Sequence, residues 1–379
     1  MSPFGSETVD VAIVGGGLAG LSLAILAAEA GYHTVLMEQK AYPFHRVCGE
    51  YIALESWGFL HRLGLDVAAQ ALPRITRLQV TTPTQSLAAP LEPGGFGISR
   101  YALDAQLAQR AEALGVKLYT RTRVHSVQEN PEHSVLSTSQ GTLRARLVAG
   151  AFGKWSNLDT ALRPQSLPAQ TGAPRYVGIK YHLKTRFPQD LIALHNFAGG
   201  YGGISAIEDG RVCFCYLVTQ EALQAAGSIA ALEAQVLSQN PYLRSILTHA
   251  EHCWSAPQTI AQVYFSKRLW PQSSRLFLLG DAAGLIPPLC GNGMSMAFRA
   301  AHLLFPLWQA HFEQGLPLAQ IQARYQSLWQ EAFGTRLRTG QVLQQQFGRL
   351  WPINTLIRGL EPFPGLVQQL IARTHGESF

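Results

Sequence analysis

The chain is poor in charge and has no evident means of cross-linking itself. Charged residues are 14% of its 379 positions against 47% apolar ones, which excludes a disordered segment and leaves material for two domains or one large one around a substantial core. Its cysteines, Cys48, Cys213, Cys215, Cys253 and Cys290, are odd in number and lack zinc-ligand spacing. No disulfide framework and no metal are expected, and reduced thiols suit a reducing compartment. Cys213 and Cys215 share one strand face and read as core filler without metal partners. The N-terminus carries no basic cluster of the kind that opens an export signal, so the expected location is cytoplasmic. Net charge is +6 and the pI about 9.1, yet no run of Lys and Arg exceeds two residues. Without a basic stripe and aromatic platforms, nucleic acid is not an expected partner. Peripheral contact with an anionic membrane surface fits this charge better. Repeats and low-complexity tracts are absent.

Glycine, in contrast, is concentrated where backbone must come close to something. Val9 to Val14 is the β-branched run of a buried parallel strand, and it stops at Gly15-Gly16-Gly17. Leu18 to Ala28 is rich in helix formers, with Gly31 placed as a left-handed cap. In Gly15-x-Gly17-x-x-Gly20 the glycines provide a tight turn, backbone approach to a pyrophosphate, and close packing of helix on strand. The helix would aim its free N–H groups at that diphosphate. A second strand, His33 to Met37, ends in Glu38, 18 residues beyond Gly20. An acid there accepts hydrogen bonds from ribose hydroxyls and repels a 2′-phosphate, so FAD or NAD fits and NADP does not. Val11 to Ala28 is uncharged and long enough for a membrane span, but its glycines oppose one and a span leaves Glu38 without a role.

Further along, a helix with Leu54, Trp57, Leu60 and Leu63 precedes a strand-rich insertion that begins near Ile75 and ends in the turn-prone Pro90 to Gly95. A helix from Tyr101 to Leu114, strands between Val116 and Val127, and a hairpin from Ser134 to Val148 follow. Pro164 to Pro174 breaks helix and strand alike and reads as an interdomain connection. Beyond it, Tyr176–Leu183, Leu191–Phe197, Gly203–Ile207, Val212–Val218 and Thr259–Phe265 alternate like an antiparallel sheet, interrupted by a helix at Ile229–Ser238. This is the candidate substrate layer. Arg275 to Asp281 returns to a buried strand, and the chain after Gly293 reads helical.

Gly15-x-Gly17-x-x-Gly20 with Glu38, Arg100 before Leu103-Asp104-x-x-Leu107, and Gly280-Asp281-Ala282-Ala283 followed by Pro287-Pro288 and Gly291-x-Gly293 together resemble the FAD-dependent monooxygenases of the p-hydroxybenzoate hydroxylase fold. Cys48-Gly49 leans toward their geranylgeranyl reductase-like branch. The resemblance implies an α/β fold: a Rossmann-type FAD-binding domain (residues 1–74, 96–170 and 272–310), an antiparallel β-sheet substrate domain (75–95 and 171–271) and a helical C-terminal region (311–379). It implies that Asp281 accepts a hydrogen bond from a sugar-chain hydroxyl of FAD, and that Pro288, Gly291, Asn292, Gly293 and Met294 approach the flavin's carbonyl edge. Leu18, Ala19, Gln39, Gly49, Val124 and Gly280 complete the implied cofactor shell. Arg100 would pair with an FAD phosphate, line the flavin entrance, or stand as a surface arginine. Cys48 is the candidate catalytic thiol, or a small apolar filler; the same alternatives hold for Cys290. Where family members commonly carry an Asp-Gly pair, this chain has Phe152-Gly153.

The activity implied is that of an FAD-dependent oxidoreductase, a monooxygenase hydroxylating an aromatic or lipophilic small molecule through a flavin peroxide, with NADH or NADPH as candidate electron donor. Alternatives are a flavin-dependent reductase or dehydrogenase acting on a C–C bond, and a non-catalytic flavin-fold escort. Oligomeric state is not legible. In the tail, Leu350, Ile353, Leu356, Ile357 and Leu360, then Leu366, Val367, Leu370 and Ile371, recur at helical spacing; such a stripe packs on its own protein or faces a membrane or substrate.

Overall fold

The β-branched start of the chain forms strand β1 (Thr8–Val14) and the helix formers behind it form α1 (Leu18–Glu29), whose residues from Leu18 to Ala27 are all buried. Both faces of the strand are covered, which is why it reads as a continuous apolar run. The computed structural model describes residues 4, 7–154, 156–163, 174–265, 270 and 275–379. The Cys290 side chain, nearly all of the expected Pro164–Pro174 connection, and the expected boundaries at 170/171 and 271/272 lie outside the described residues.

Beyond α1 run β2 (Thr34–Met37), β3 (Tyr51–Ala53), α2 (Trp57–Arg62), β4 (Arg74–Thr81), β5 (Ser86–Gly97), α3 (Arg100–Ala113), β6 (Lys117–Tyr119), β7 (Val124–Glu129), β8 (Ser134–Thr138), β9 (Gly141–Gly150) and α4 (Asn157–Leu162). Next come β10 (Tyr176–Lys184), β11 (Leu191–Phe197), β12 (Gly200–Ala206), β13 (Val212–Thr219), and the short helices α5 (Gln220–Ala226), α6 (Ile229–Gln235) and α7 (Pro241–His249). The chain closes with β14 (Glu251–His252), β15 (Gln258–Val263), β16 (Leu276–Leu278), α8 (Gly293–Gln314), α9 (Leu318–Gln344), α10 (Leu350–Leu360) and α11 (Pro364–Ala372).

Two sheets result. The first orders its strands β6-β2-β1-β9-β8-β7 with β16 beside β9. Its β6, β2, β1, β9 and β16 run parallel, while β7, β8 and β9 form an antiparallel meander. The pairs Val14↔Met37, Val14↔Gly150 and Leu278↔Gly150 bring four carboxyl ends to one edge. The loops leaving that edge start at Gly15, Glu38, Ala151 and Leu279, and such an edge is where open α/β sheets bind ligands.

The second sheet orders β14-β10-β13-β12-β11-β4-β5-β3, with β15 beside β10. It is antiparallel except where β4 meets β11. Tyr51–Ala53 joins this sheet, although it falls inside the first segment expected for the FAD-binding domain. The register sets Lys180 beside Cys215, Gly203 and Leu194 in one row, and His182 beside Cys213, Ser205 and Ile192 in the next. Side chains two apart on a strand share a face, so these rows look the same way. The opposite face, with Ile179, Tyr181, Ile204 and Phe214, packs beneath α5 to α7.

Helices α8 and α9 complete the first core through Phe298, Leu304, Trp308, Tyr325 and Phe333. In the tail, Ile353, Ile357, Val367 and Ile371 are buried, the last two against Tyr51, Ile75 and Leu91. The stripe thus packs mainly on its own protein. Trp351 (77% exposed), Phe363 (56%) and Leu366 (47%) remain outside. No described helix is long and apolar enough to cross a membrane.

Candidate active site

The glycine turn divides its labour as the spacing requires. Gly15 holds φ 106, and a Cβ there would run into the Ala151 carbonyl; one on Gly20 would strike the Gly15 carbonyl. Those two glycines serve the turn and the helix–strand contact. A Cβ on Gly17 would meet nothing closer than Arg100 Nη2 at 3.8 Å, so at Gly17 the open side faces the cavity. Glu38 is 5% exposed. Its Oε2 accepts from the Gly16 amide at 2.9 Å and Arg46 Nη2 at 3.1 Å, and its Oε1 from the Lys40 amide at 3.0 Å. A carboxylate offers about four lone-pair positions, so one remains on Oε1.

Two arginines share one buried acid beside this turn. Arg100 forms a two-pronged pair with Asp104 at 2.7 and 2.8 Å, and Arg46 Nε reaches the same carboxylate at 2.9 Å. Burial opposes the Arg100 charge, and Asp104 overrides it, so the guanidinium pKa is raised. Arg100 therefore stays cationic next to Gly17, where two phosphates would lie.

One cavity of about 820 Å³ joins the two sheets. Gly15, Gly17, Leu18, Ala19, Glu38, Gln39, Cys48, Gly49, Arg100, Val124, Gly280, Asp281, Pro288, Gly291, Gly293 and Met294 all line it. Two residues expected in the cofactor shell do not. Gly20 is taken up by packing, and Asn292 is fully buried with its Nδ2 donating to the Thr374 carbonyl. Asn292 turns away from the cavity because the segment after α11 folds back behind it. Asp281 faces the cavity without a protein hydrogen-bond partner among the described residues. At the other end, Gly293 and Met294 open the 22-residue helix α8 into the cavity, bringing a positive dipole end to it.

The sequence pattern of the family described as FAD binding domain matches residues 8–313. The chain belongs to this family. Relatives include 3-amino-4-hydroxybenzoate 2-monooxygenase PtmB3 of Streptomyces platensis, 27% identical over 81% of this chain and 81% of that protein. Another is conditioned medium factor receptor 1 of Dictyostelium discoideum, 22% identical over 87% of this chain and 69% of that one. A geranylgeranyl bacteriochlorophyll reductase-like protein from Thermoplasma acidophilum superposes with a TM-score of 0.74 at 18% identity, over 98% of this chain and 97% of that one, a likeness of fold. As a member of the FAD-binding family, the protein is a flavoprotein oxidoreductase with FAD as cofactor, and several of its relatives, PtmB3 among them, are monooxygenases. The residues fit that cofactor: an unobstructed Gly17, a spare lone pair on Glu38, paired arginines beside them, and Asp281 turned inward.

The sequence reading missed Arg46 and the groups it leads to. Glu50, Lys180 and His182 are fully buried. Lys180 Nζ donates to Glu50 Oε1, and His182 Nε2 lies 2.6 Å from Glu50 Oε2. Burial works to raise the Glu50 carboxyl, but the Lys180 ammonium and the His182 hydrogen bond outweigh it and hold the pKa down to about 2. Burial likewise disfavours the Lys180 ammonium, and the Glu50 carboxylate beside it more than reverses this, so its pKa is raised. Glu50 also holds φ 58, a left-handed backbone that costs a non-glycine residue about 1–2 kcal/mol. A signal was present: Lys180 and His182 stand two apart among the apolar residues from Tyr176 to Leu183, and buried charges require partners. Cys213, taken as filler without metal partners, has ligand atoms of Glu50 and His182 within 4.8 Å. Lys180 already occupies that carboxylate.

Proposed function

We propose that the protein is a single-component FAD-dependent monooxygenase that hydroxylates an uncharged aromatic or lipophilic small molecule, with NADH or NADPH as electron donor. The observation that carries this reading is the continuity of the cavity, from the Gly17 turn to a wall built by Gly178, Leu194, Gly203, Leu217, Ile260 and Val263. No described lining residue from β10 to β15 is charged. A free carboxylate substrate would find no cation on that wall, whereas an apolar ring gains by burial.

Bound FAD supplies the redox and oxygen chemistry; the protein binds, orients and excludes water. Glu38 would hold the ribose, Arg46 and Arg100 would stand by the phosphates, and the N-terminus of α8 would favour negative charge on the reduced ring. Tyr201 closes the apolar wall: its hydroxyl donates to Gln344 Oε1 and accepts from the Leu289 amide, both at 3.1 Å. That ties the substrate wall to the turn before α8.

Cys48 on the cavity lining favours one second reading, reduction of a C–C bond without oxygen insertion. Oxygen dependence separates the two. The purified protein should be yellow, and NADH or NADPH oxidation in the presence of uncharged aromatics should consume oxygen; substrate turnover undiminished without oxygen would overturn the hydroxylase reading. The free thiols Cys48, Cys213, Cys215 and Cys253 support a cytoplasmic setting. Trp351, Phe363 and Leu366 are the surface a protein handling lipophilic substrates would bring to an anionic bilayer. Co-sedimentation with anionic liposomes tests this, and an intact protein that never sediments removes it.

A further inference from the structure

The loop between β2 and β3 reaches the cavity through Cys48 and Gly49, and the polar rows of the second sheet hold it residue by residue. Lys180 Nζ donates to the Arg46 carbonyl at 3.1 Å as well as to Glu50. A Cβ on Gly178 would stand 3.1 Å from Val47 Cγ1, so the strand backbone lies close under that side chain. The Cys213 thiol donates to the Cys48 carbonyl at 3.3 Å and the Ser205 hydroxyl to the Gly49 carbonyl at 3.4 Å. Glu50 closes the set: its carboxylate accepts from Lys180, from the Arg100 amide at 2.7 Å, and lies against His182.

An apolar contact would join the two sheets without burying charge, and buried ion pairs are often replaceable by hydrophobic residues at no loss of stability. Apolar contacts do not fix the direction of individual carbonyl groups, and a satisfied buried polar network does. Strain accepted at Glu50 points the same way, since strained non-glycine backbone clusters where geometry matters to function.

We propose that Glu50 and Lys180 form a buried ionic latch that positions the Cys48–Gly49 stretch against the bound flavin, making Lys180 a positioning residue for the redox chemistry. The inference rests on the cavity being the flavin site. Lys180 itself is fully buried and acts only through the loop.

The test uses Glu50→Gln, Lys180→Met and the double variant, each FAD-loaded. A single change strands one buried charge and lowers Tm; the double change removes both charges at nearly constant shape and should recover most of that loss. FAD content, the visible spectrum and midpoint potential of the flavin, and NADH or NADPH oxidation are then compared with the parent. The latch predicts a double variant that keeps FAD but shows a shifted spectrum and potential, with oxidation slowed roughly ten- to hundredfold, as a misplacement of about 1 Å does. A double variant with parental spectrum, potential and rate overturns it, because the pair then serves only the fold. Should the double variant fail to fold, Lys180→Arg keeps the charge but moves the donors; an unchanged spectrum and potential there overturns the latch equally. A parent that takes up no FAD removes the flavin reading and the latch together, whereas a yellow parent with unchanged variants removes the latch alone.

Discussion

Replacing Glu38 by alanine should weaken FAD binding by an amount that the geometry of its carboxylate sets. The residue is 5% exposed and its carboxylate accepts three hydrogen bonds, from the Gly16 amide at 2.9 Å, the Lys40 amide at 3.0 Å and Arg46 at 3.1 Å. Arg46 keeps Asp104 at 2.9 Å and the Gly16 carbonyl at 3.2 Å in the variant, so the cation stays beside the turn. What is lost toward the cofactor is a charged acceptor for ribose hydroxyls, worth about 1.5–3 kcal/mol where the bond is well formed. Allowing for a water that takes its place, the expected loss is about 1–3 kcal/mol, or roughly five- to 150-fold in Kd. Titration of the apo-protein with FAD, followed by quenching of flavin fluorescence, reads this directly. Glu38→Gln, which keeps the shape and drops the charge, should fall between parent and Glu38→Ala. A Glu38→Ala protein whose Kd stays within about twofold of the parent would refute the ribose assignment, since that change is below 0.5 kcal/mol.

The last two glycines of the motif, Gly17 and Gly20, should separate folding from binding. Gly20→Ala drives a Cβ into the Gly15 carbonyl and should destabilise the protein by about 1–3 kcal/mol. Gly17→Ala has room, with Arg100 Nη2 at 3.8 Å, and should keep the parental Tm while losing FAD affinity; equal Tm values for the two variants would contradict this division. Acid should expose the Glu50 network. Its carboxyl is held at about 2 against an ordinary value of 4.5, so its contribution is fully present above about 4.5 and disappears as pH falls through 2. The amount is about 3 kcal/mol by linkage. Urea midpoints at successive pH values from 5 to 2 should show the gap between parent and Glu50→Gln closing, and a constant gap would show that Glu50 is not ion-paired in the folded state.

The parts of this protein that were legible in sequence are those where local chemistry and function coincide. The strand, glycines, helix and terminal acid from Val9 to Glu38 occupy one short stretch, and the structure places that stretch at the carboxyl edge of the first sheet. The alternation beyond Tyr176 likewise announced an antiparallel layer. What escaped depends on residues far apart in the chain. Glu50 and Lys180 are separated by 130 positions, and nothing in the spacing of either names the other. Arg46 was equally silent, because its partners Glu38 and Asp104 come from different elements. Asn292 was placed in the cofactor shell from the glycines around it, but the fold gives its amide to Thr374. Tyr51–Ala53 went to the second sheet because Phe96 and Gly97 offered an unpaired edge, a tertiary choice that three residues cannot encode.

The origin of the oxygen in the product tests the central claim most directly. FAD-loaded protein, supplied with NADH or NADPH and an uncharged aromatic substrate under isotopically heavy oxygen gas, should release a hydroxylated product carrying one heavy oxygen atom, with no product in the absence of oxygen. A product formed equally well without oxygen, reduced or desaturated and free of label, would contradict a monooxygenase and return the cavity to C–C bond chemistry.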